Sequence, residues 1–251
     1  MPRDKIVNWE VEIDALRDIS FIACEAHRIV AEGLWEWCRL AADRHYGAHE
    51  QKVLTAKIAA ESIAALEDLG ALAWSVSNRG NGGIIRNYLS YKPKNVDAFY
   101  KRVGRGESLG DMLKLPRDDE IAHVLGEDDR ELLRQSLAEL QRVFEVAAKD
   151  YLELDGKLVV TYNKIKHGFV VIHRLDKLVP GAKPPTNWEQ DVNVLTGIRA
   201  NGSVLYTALE RSAGMLESLM AVIKMSGSTS RELASLVIYL FEHGVDLDVR
   251  P

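Results

Sequence analysis

The sequence predicts a mainly α-helical protein, a helical bundle of five or six helices, with one short β-like excursion around residues 169–199. Two observations predict it. Apolar residues recur at three- and four-residue steps over windows of twenty-five residues and more, the spacing that aligns one face of a helix. Runs of β-branched residues are largely confined to one proline-interrupted region late in the chain. With no internal repeat and no low-complexity segment, a single domain over residues 1–251 is the simplest arrangement, and 47% apolar content is ample for its core.

The first helix is expected over residues 9–45, where Ile13, Leu16, Ile19, Ala23, Ala26, Ile29, Val30, Leu34, Trp37 and Leu40 form the buried stripe and Gly47 stops it. A second spans 50–78, with Val53, Ile58, Ile63, Leu66, Leu69, Leu72 and Val76 inward, and "NRGNGG" ends it. Residues 80–116 form a basic loop region in which Pro93 and the glycines at 104, 106 and 110 leave room only for short helices. A third long helix runs from about Asp128 to Leu154, and a shorter one covers 156–167. An extended insertion follows over 169–202, with β-branched runs at Val170–Ile172 and Val192–Ile198 divided by Pro180, Pro184 and Pro185. Two helices, 203–225 and 229–243, close the chain.

Composition narrows the function classes. A net charge of -5 argues against a protein that coats DNA or a membrane surface. The opening "MPRDKIVNWEVEIDALRD" lacks the apolar core of a signal peptide, and no uncharged apolar run approaches the roughly 18–20 residues of a membrane helix. Cys24 and Cys38 lie fourteen residues apart in one helical pattern, about 20 Å, too far to bridge. A cytoplasmic protein with two core cysteines is expected. Glu120-x-x-His123 is half of a dimetal helix motif without its second half, and His45 and His49 flank Gly47 without a third ligand. "RGNGG" follows a helix rather than a strand, and no Lys-Ser/Thr follows it. No metal or cofactor is therefore expected.

Charge is concentrated in one place. Between Ile84 and Gly106 stand Arg86, Lys92, Lys94, Lys101, Arg102 and Arg105 against a single acid, Asp97. Tyr88, Tyr91, Phe99 and Tyr100 are interleaved with them. Cations contact phosphates while aromatic rings stack on unpaired bases, so this composition suits single-stranded RNA or a nucleotide. The alternative is a solvated surface whose rings pack inward.

A second candidate is "TYNKIKHGFVVIHR", residues 161–174. At 100° per residue Leu158, Tyr162 and Ile165 share the core face, while Asn163 and His167 lie one above the other on its border, with Lys166 between. A half-buried histidine beside a lysine tends toward neutral imidazole, able to take a proton from a ribose 2′-OH while lysine stabilises charge on the phosphate. The same residues in a last turn before Gly168 also suit a helix cap.

"YNKIKHGF" at a helix terminus, inside an otherwise helical chain, resembles the HEPN superfamily. That resemblance implies a helical bundle, often a homodimer, of a kind that includes metal-independent ribonucleases of toxin–antitoxin and phage-defence systems. The family's site is an arginine, four to six further residues, then histidine. Here Thr161, Tyr162 and Asn163 occupy the positions before His167, and no arginine stands at the required distance. The resemblance thus implies a divergent member that binds RNA or a nucleotide through Asn163, Lys166 and His167 rather than cutting it. A structural module acting through helix–helix oligomerisation is the rival reading.

Overall fold

A computed structural model of the chain describes residues 7–41, 47–155, 191–198, 200–201, 204–209 and 213–247. It is mainly helical. Among the described residues there are four long helices, α1 (Trp9–Ala41), α2 (Gly47–Ser77), α7 (Glu127–Asp155) and α8 (Ala213–Glu242), and four short ones between α2 and α7: α3 (Ile84–Ser90), α4 (Pro93–Val103), α5 (Leu109–Met112) and α6 (Asp118–Ile121). Strands β1 (Val192–Ile198) and β2 (Val204–Leu209) pair antiparallel, with Val192 opposite Leu209, Ile198 opposite Val204, and an irregularity between Leu195 and Gly197. None of the described helices is long and apolar enough to cross a membrane. The expected helix over 156–167 and the run at 170–172 lie outside the described residues.

The chain forms two compact units. The first comprises Met1–Glu25, Leu66–Leu152 and Met225–Pro251; the second comprises Ala26–Ala65 and Glu153–Lys224.

In the first unit the carboxyl-terminal part of α2 is the central element. Leu66, Leu69, Ala71, Leu72, Ala73 and Val76 are all at most 3% exposed, and Ser75 and Ser77 are buried among them. Only one edge, at Glu67, Asp68 and Trp74, is half-exposed, so a helix this apolar is enclosed on its other sides. Its two buried hydroxyls are paired: Ser75 donates to the Ala71 carbonyl one turn back at 2.7 Å and Ser77 to that of Met112 in α5 at 2.5 Å. As expected, α2 stops at "NRGNGG". The chain turns there through Gly82 and Gly83, both at positive φ, where L side chains are strained. A Cβ on Gly83 would stand 2.3 Å from the Glu12 carboxylate, which accepts the Ile85 N–H at 2.8 Å and so caps α3 from α1.

Arg79, 2% exposed, ties this turn to its surroundings. Its guanidinium donates to the carbonyls of Val76, Leu113, Lys114 and Leu247 at 2.5–3.0 Å. Each buried carbonyl is thereby spared an unsatisfied burial worth about 1–3 kcal/mol.

The second unit holds a cluster of Ala31, Ile58, Ala65, Met220 and Ile223, with Leu34, Trp35, Leu216 and Leu219 packed on it. A second cluster joins Ala56 and Ala60 of α2 to Val192 and Val194 of β1. Cys38 is buried here as expected, and Gln51 donates to its carbonyl at 3.1 Å.

Four expectations are corrected. Residues 204–209 form β2 rather than helix: Asn201-Gly202, between two β-branched runs, is a strong hairpin signal that the helical periodicity beyond it obscured. The strands therefore extend past residue 199. The two closing helices are one, α8, which runs through Ser226-Gly227-Ser228 without a break. Ser228 and Thr229 donate to the Met225 carbonyl at 3.0 and 2.8 Å, so their hydroxyls compete less with the helix, and Ser226, Thr229 and Ser230 are buried. Finally, Ile29, Val30, Trp37 and Leu40 of α1 are 45–59% exposed instead of buried, because Ala31, Leu34, Trp35 and Cys38 take the inward positions.

Helix α4 packs closely on α2 at Gly70. A Cβ there would meet Tyr100 Cε2 and Val96 Cγ1, each at 2.7 Å. Gly70→Val should therefore destabilise the protein by about 1–3 kcal/mol through overpacking. Urea unfolding reads this directly, and an unchanged midpoint would mean that α4 is not seated against α2.

Candidate nucleic-acid interface

The basic segment is more ordered than the loop region expected from its proline and glycines: α3, α4 and α5 occupy most of it. Pro93 sits at the first helical position of α4, where its missing N–H costs nothing, and Asn95 accepts the Lys92 N–H at 2.8 Å. Val96, Phe99, Tyr100 and Val103 fall within an arc of about 100° and are at most 2% exposed. Lys94, Lys101 and Arg102 occupy the opposite arc and are exposed, with Lys92 and Arg105 exposed at its two ends. The amphipathic pattern thus fixes which way the cations point.

Aromatic packing anchors the inner face. Phe99 meets Phe144 edge-on at 5.8 Å, and Tyr100 lies 4.6 Å from the ring of Tyr151. The Tyr100 hydroxyl donates to the Leu66 carbonyl at 2.7 Å. Burial, then the neighbouring Tyr151, holds its phenol well above the ordinary range, so it is a neutral donor at every physiological pH. Phe99 and Tyr100 are therefore core residues. The expectation that they stack on bases is corrected.

The other two rings are placed differently. Tyr88 and Tyr91 are half-buried, 6.2 Å apart and inclined by 35°. Asp68 lies beside them; Tyr91 reaches its carboxylate at 3.5 Å. Burial, and then this carboxylate, raises the Tyr88 phenol far above its usual value. Among the cations, Lys101 pairs with Asp97 at 2.7 Å and Arg102 with Glu107 at 2.7 Å. Arg86, Lys92, Lys94 and Arg105 make no ion pair with the described residues. Asn163, Lys166 and His167 lie outside the described residues, so the expected catalytic set is not placed relative to this surface.

Two residues that shape the surface were not singled out from sequence. Asp68 looks like any acid on a helix. Gly70 carried a signal, a lone glycine inside a strongly helical pattern, which costs about 1 kcal/mol against alanine and so points to close packing. No protein-family model matches the chain, nor does any curated protein or solved structure.

The tyrosine geometry is open to titration. Asp68→Asn removes the negative charge that disfavours phenolate, so the Tyr88 pKa should fall while burial keeps it above that of free tyrosine. Ultraviolet titration of the variant beside wild type checks the direction; an unmoved or rising curve would remove Asp68 from the account.

Proposed function

We propose that the protein is a HEPN-like, non-cleaving binder of single-stranded RNA or nucleotides, contacting phosphates through the outer face of α4 and its flanks. The observation that carries this reading is the split of α4 into a locked aromatic inner face and an outer face of Lys94, Lys101 and Arg102. Arg86, Lys92 and Arg105 extend the positive surface, and the half-exposed Tyr88 and Tyr91 supply rings at its edge. The two exposed ion pairs are no obstacle, since such pairs contribute only about 0–1 kcal/mol and phosphate oxygens compete with them readily. The resemblance of residues 162–169 to the HEPN superfamily adds a defence or toxin–antitoxin setting, and the missing arginine before His167 favours binding over cutting.

Fluorescence anisotropy with an oligouridine tests it. Replacing Lys92, Lys94, Lys101 and Arg102 together by alanine should weaken binding and flatten the salt dependence, by about 0.7 in the log–log slope for each phosphate no longer neutralised. Equal affinity and slope in wild type and variant would leave the surface merely solvated. RNA cleavage by the purified protein, abolished by His167→Ala, would replace the binder with a nuclease.

A second reading has its own support in the second unit. Ile29, Gly33, Trp37 and Leu40, with Val30 beside them, line one exposed stripe of α1 at i, i+4, i+8 and i+11, and nothing lies within 4 Å of where a Gly33 Cβ would be. A contiguous apolar stripe with a glycine at its middle suits close approach of a second copy of the chain. Homodimerisation through it predicts a sedimentation mass of twice the 28.1 kDa chain, reduced to one chain by Ile29→Glu with Leu40→Glu. A wild-type mass of one chain at high concentration would refute it.

A further inference from the structure

The first unit contains a depression of about 660 Å³ that none of the functional readings above uses. It is lined by the segment from Lys114 to Val124 on one side and by Gly244, Val245 and Asp246 on the other. Its size falls in the range of small-molecule sites. Leu115, Ile121 and Val245 give it an apolar lining, of which Ile121 and Val245 are 2% and 6% exposed. Lys114, Arg117 and His123 supply donors, and Glu120 and Asp246 supply acceptors.

Two features show that the lining is held in place. Lys114 has φ of 52°, the one residue other than glycine at positive φ among those described. Its carbonyl is gripped by the buried Arg79, which also holds Leu113 and Leu247 and so clamps the two sides together. Arg117 is set by Glu120, which accepts both its backbone N–H at 2.9 Å and its guanidinium at 3.4 Å. Lys114 forms no ion pair with the described residues, so its ammonium is available at the rim.

Chemistry selects the ligand class. A bare anion would meet Lys114 and Arg117 but also the carboxylates of Glu120 and Asp246, which repel it. A neutral apolar molecule would leave the Lys114 ammonium, which forms no ion pair with the described residues, without use. The combination fits a ligand that has a phosphate for Lys114 and Arg117 and a body whose hydroxyl or amino donors meet the Asp246 carboxylate, with an apolar surface against Ile121 and Val245. We infer that this depression binds a phosphate monoester of a polyhydroxyl body, a sugar phosphate or a mononucleotide. The inference is independent of the α4 surface, which its test leaves intact.

Isothermal titration calorimetry of the full chain with adenosine monophosphate, ribose 5-phosphate, adenosine and inorganic phosphate decides it. Binding of either ester, tighter than that of adenosine or inorganic phosphate, is expected. Preference for adenosine monophosphate assigns a nucleotide, and equal binding of the two esters assigns a sugar phosphate. Lys114→Gln with Arg117→Gln, which keep much of the side-chain length, should weaken the ester about tenfold or more. Asp246→Asn should weaken the ester while strengthening inorganic phosphate, because it removes an acceptor for the body and a charge that repels the bare anion. Melting temperatures of the variants confirm that they fold; a variant that does not is replaced by a wild-type salt titration, in which ester affinity must fall as salt screens the cations. No ester binding at about millimolar concentration, inorganic phosphate or adenosine binding as tightly as the esters, or equal affinity in the folded double variant would each overturn the inference.

Discussion

The close approach of α4 to α2 at Gly70 is the constraint on which the first unit depends. With hydrogen as its side chain, Gly70 lets Val96 and Tyr100 reach the α2 backbone, and the Tyr100 hydroxyl completes the contact on the Leu66 carbonyl. Once that face is seated, the rest of α4 follows from helical geometry. Phe99 and Tyr100 are handed to Phe144 and Tyr151 of α7, and every lysine and arginine of the helix is turned outward. The cationic surface is thus a by-product of aromatic packing. Its charges need no dedicated support.

The two polar devices nearby work by a common principle. Glu12 supplies an acceptor to the first turn of α3, and Arg79 supplies donors to four carbonyls around the turn that follows α2. In both cases a side chain completes backbone groups of another segment that the segment does not pair by itself. Short helices such as α3, α5 and α6 are too short to be stable alone. They persist because long helices supply their ends: Gln141 of α7, for example, accepts the Leu109 N–H of α5 at 2.6 Å.

Much of the helical architecture was legible in the residue pattern. Apolar periodicity located α1, α2 and α7 to within a few residues, and "NRGNGG" marked the end of α2 because only such a run turns the chain so sharply. Periodicity failed where its period was ambiguous. "VLYTAL" is equally a helix start and a strand, and Asn201-Gly202 should have decided it. In α1, which apolar residues face inward could not be read, because Ile29 and Ala31 fit a stripe equally well until neighbours exist. For the candidate surface, the identity of the cations was plain and their outward orientation followed from α4's amphipathicity. The fate of the rings was not, since Phe99 and Tyr100 differ from Tyr88 and Tyr91 only in what packs against them. Arg79 was invisible for a similar reason: an arginine in a turn normally points to water.

Although Glu67, Asp68 and Trp74 give α2 one half-exposed edge, Leu66, Leu69, Leu72 and Val76 are buried around the rest of it and cannot be exposed without uncovering apolar surface. Its amides can meet solvent only when the elements around it have left. Hydrogen exchange there is therefore tied to opening of the whole unit rather than to local fraying, whereas the short peripheral helices can open singly. The interior of this helix, and the face of α4 seated on it, report the free energy of the unit.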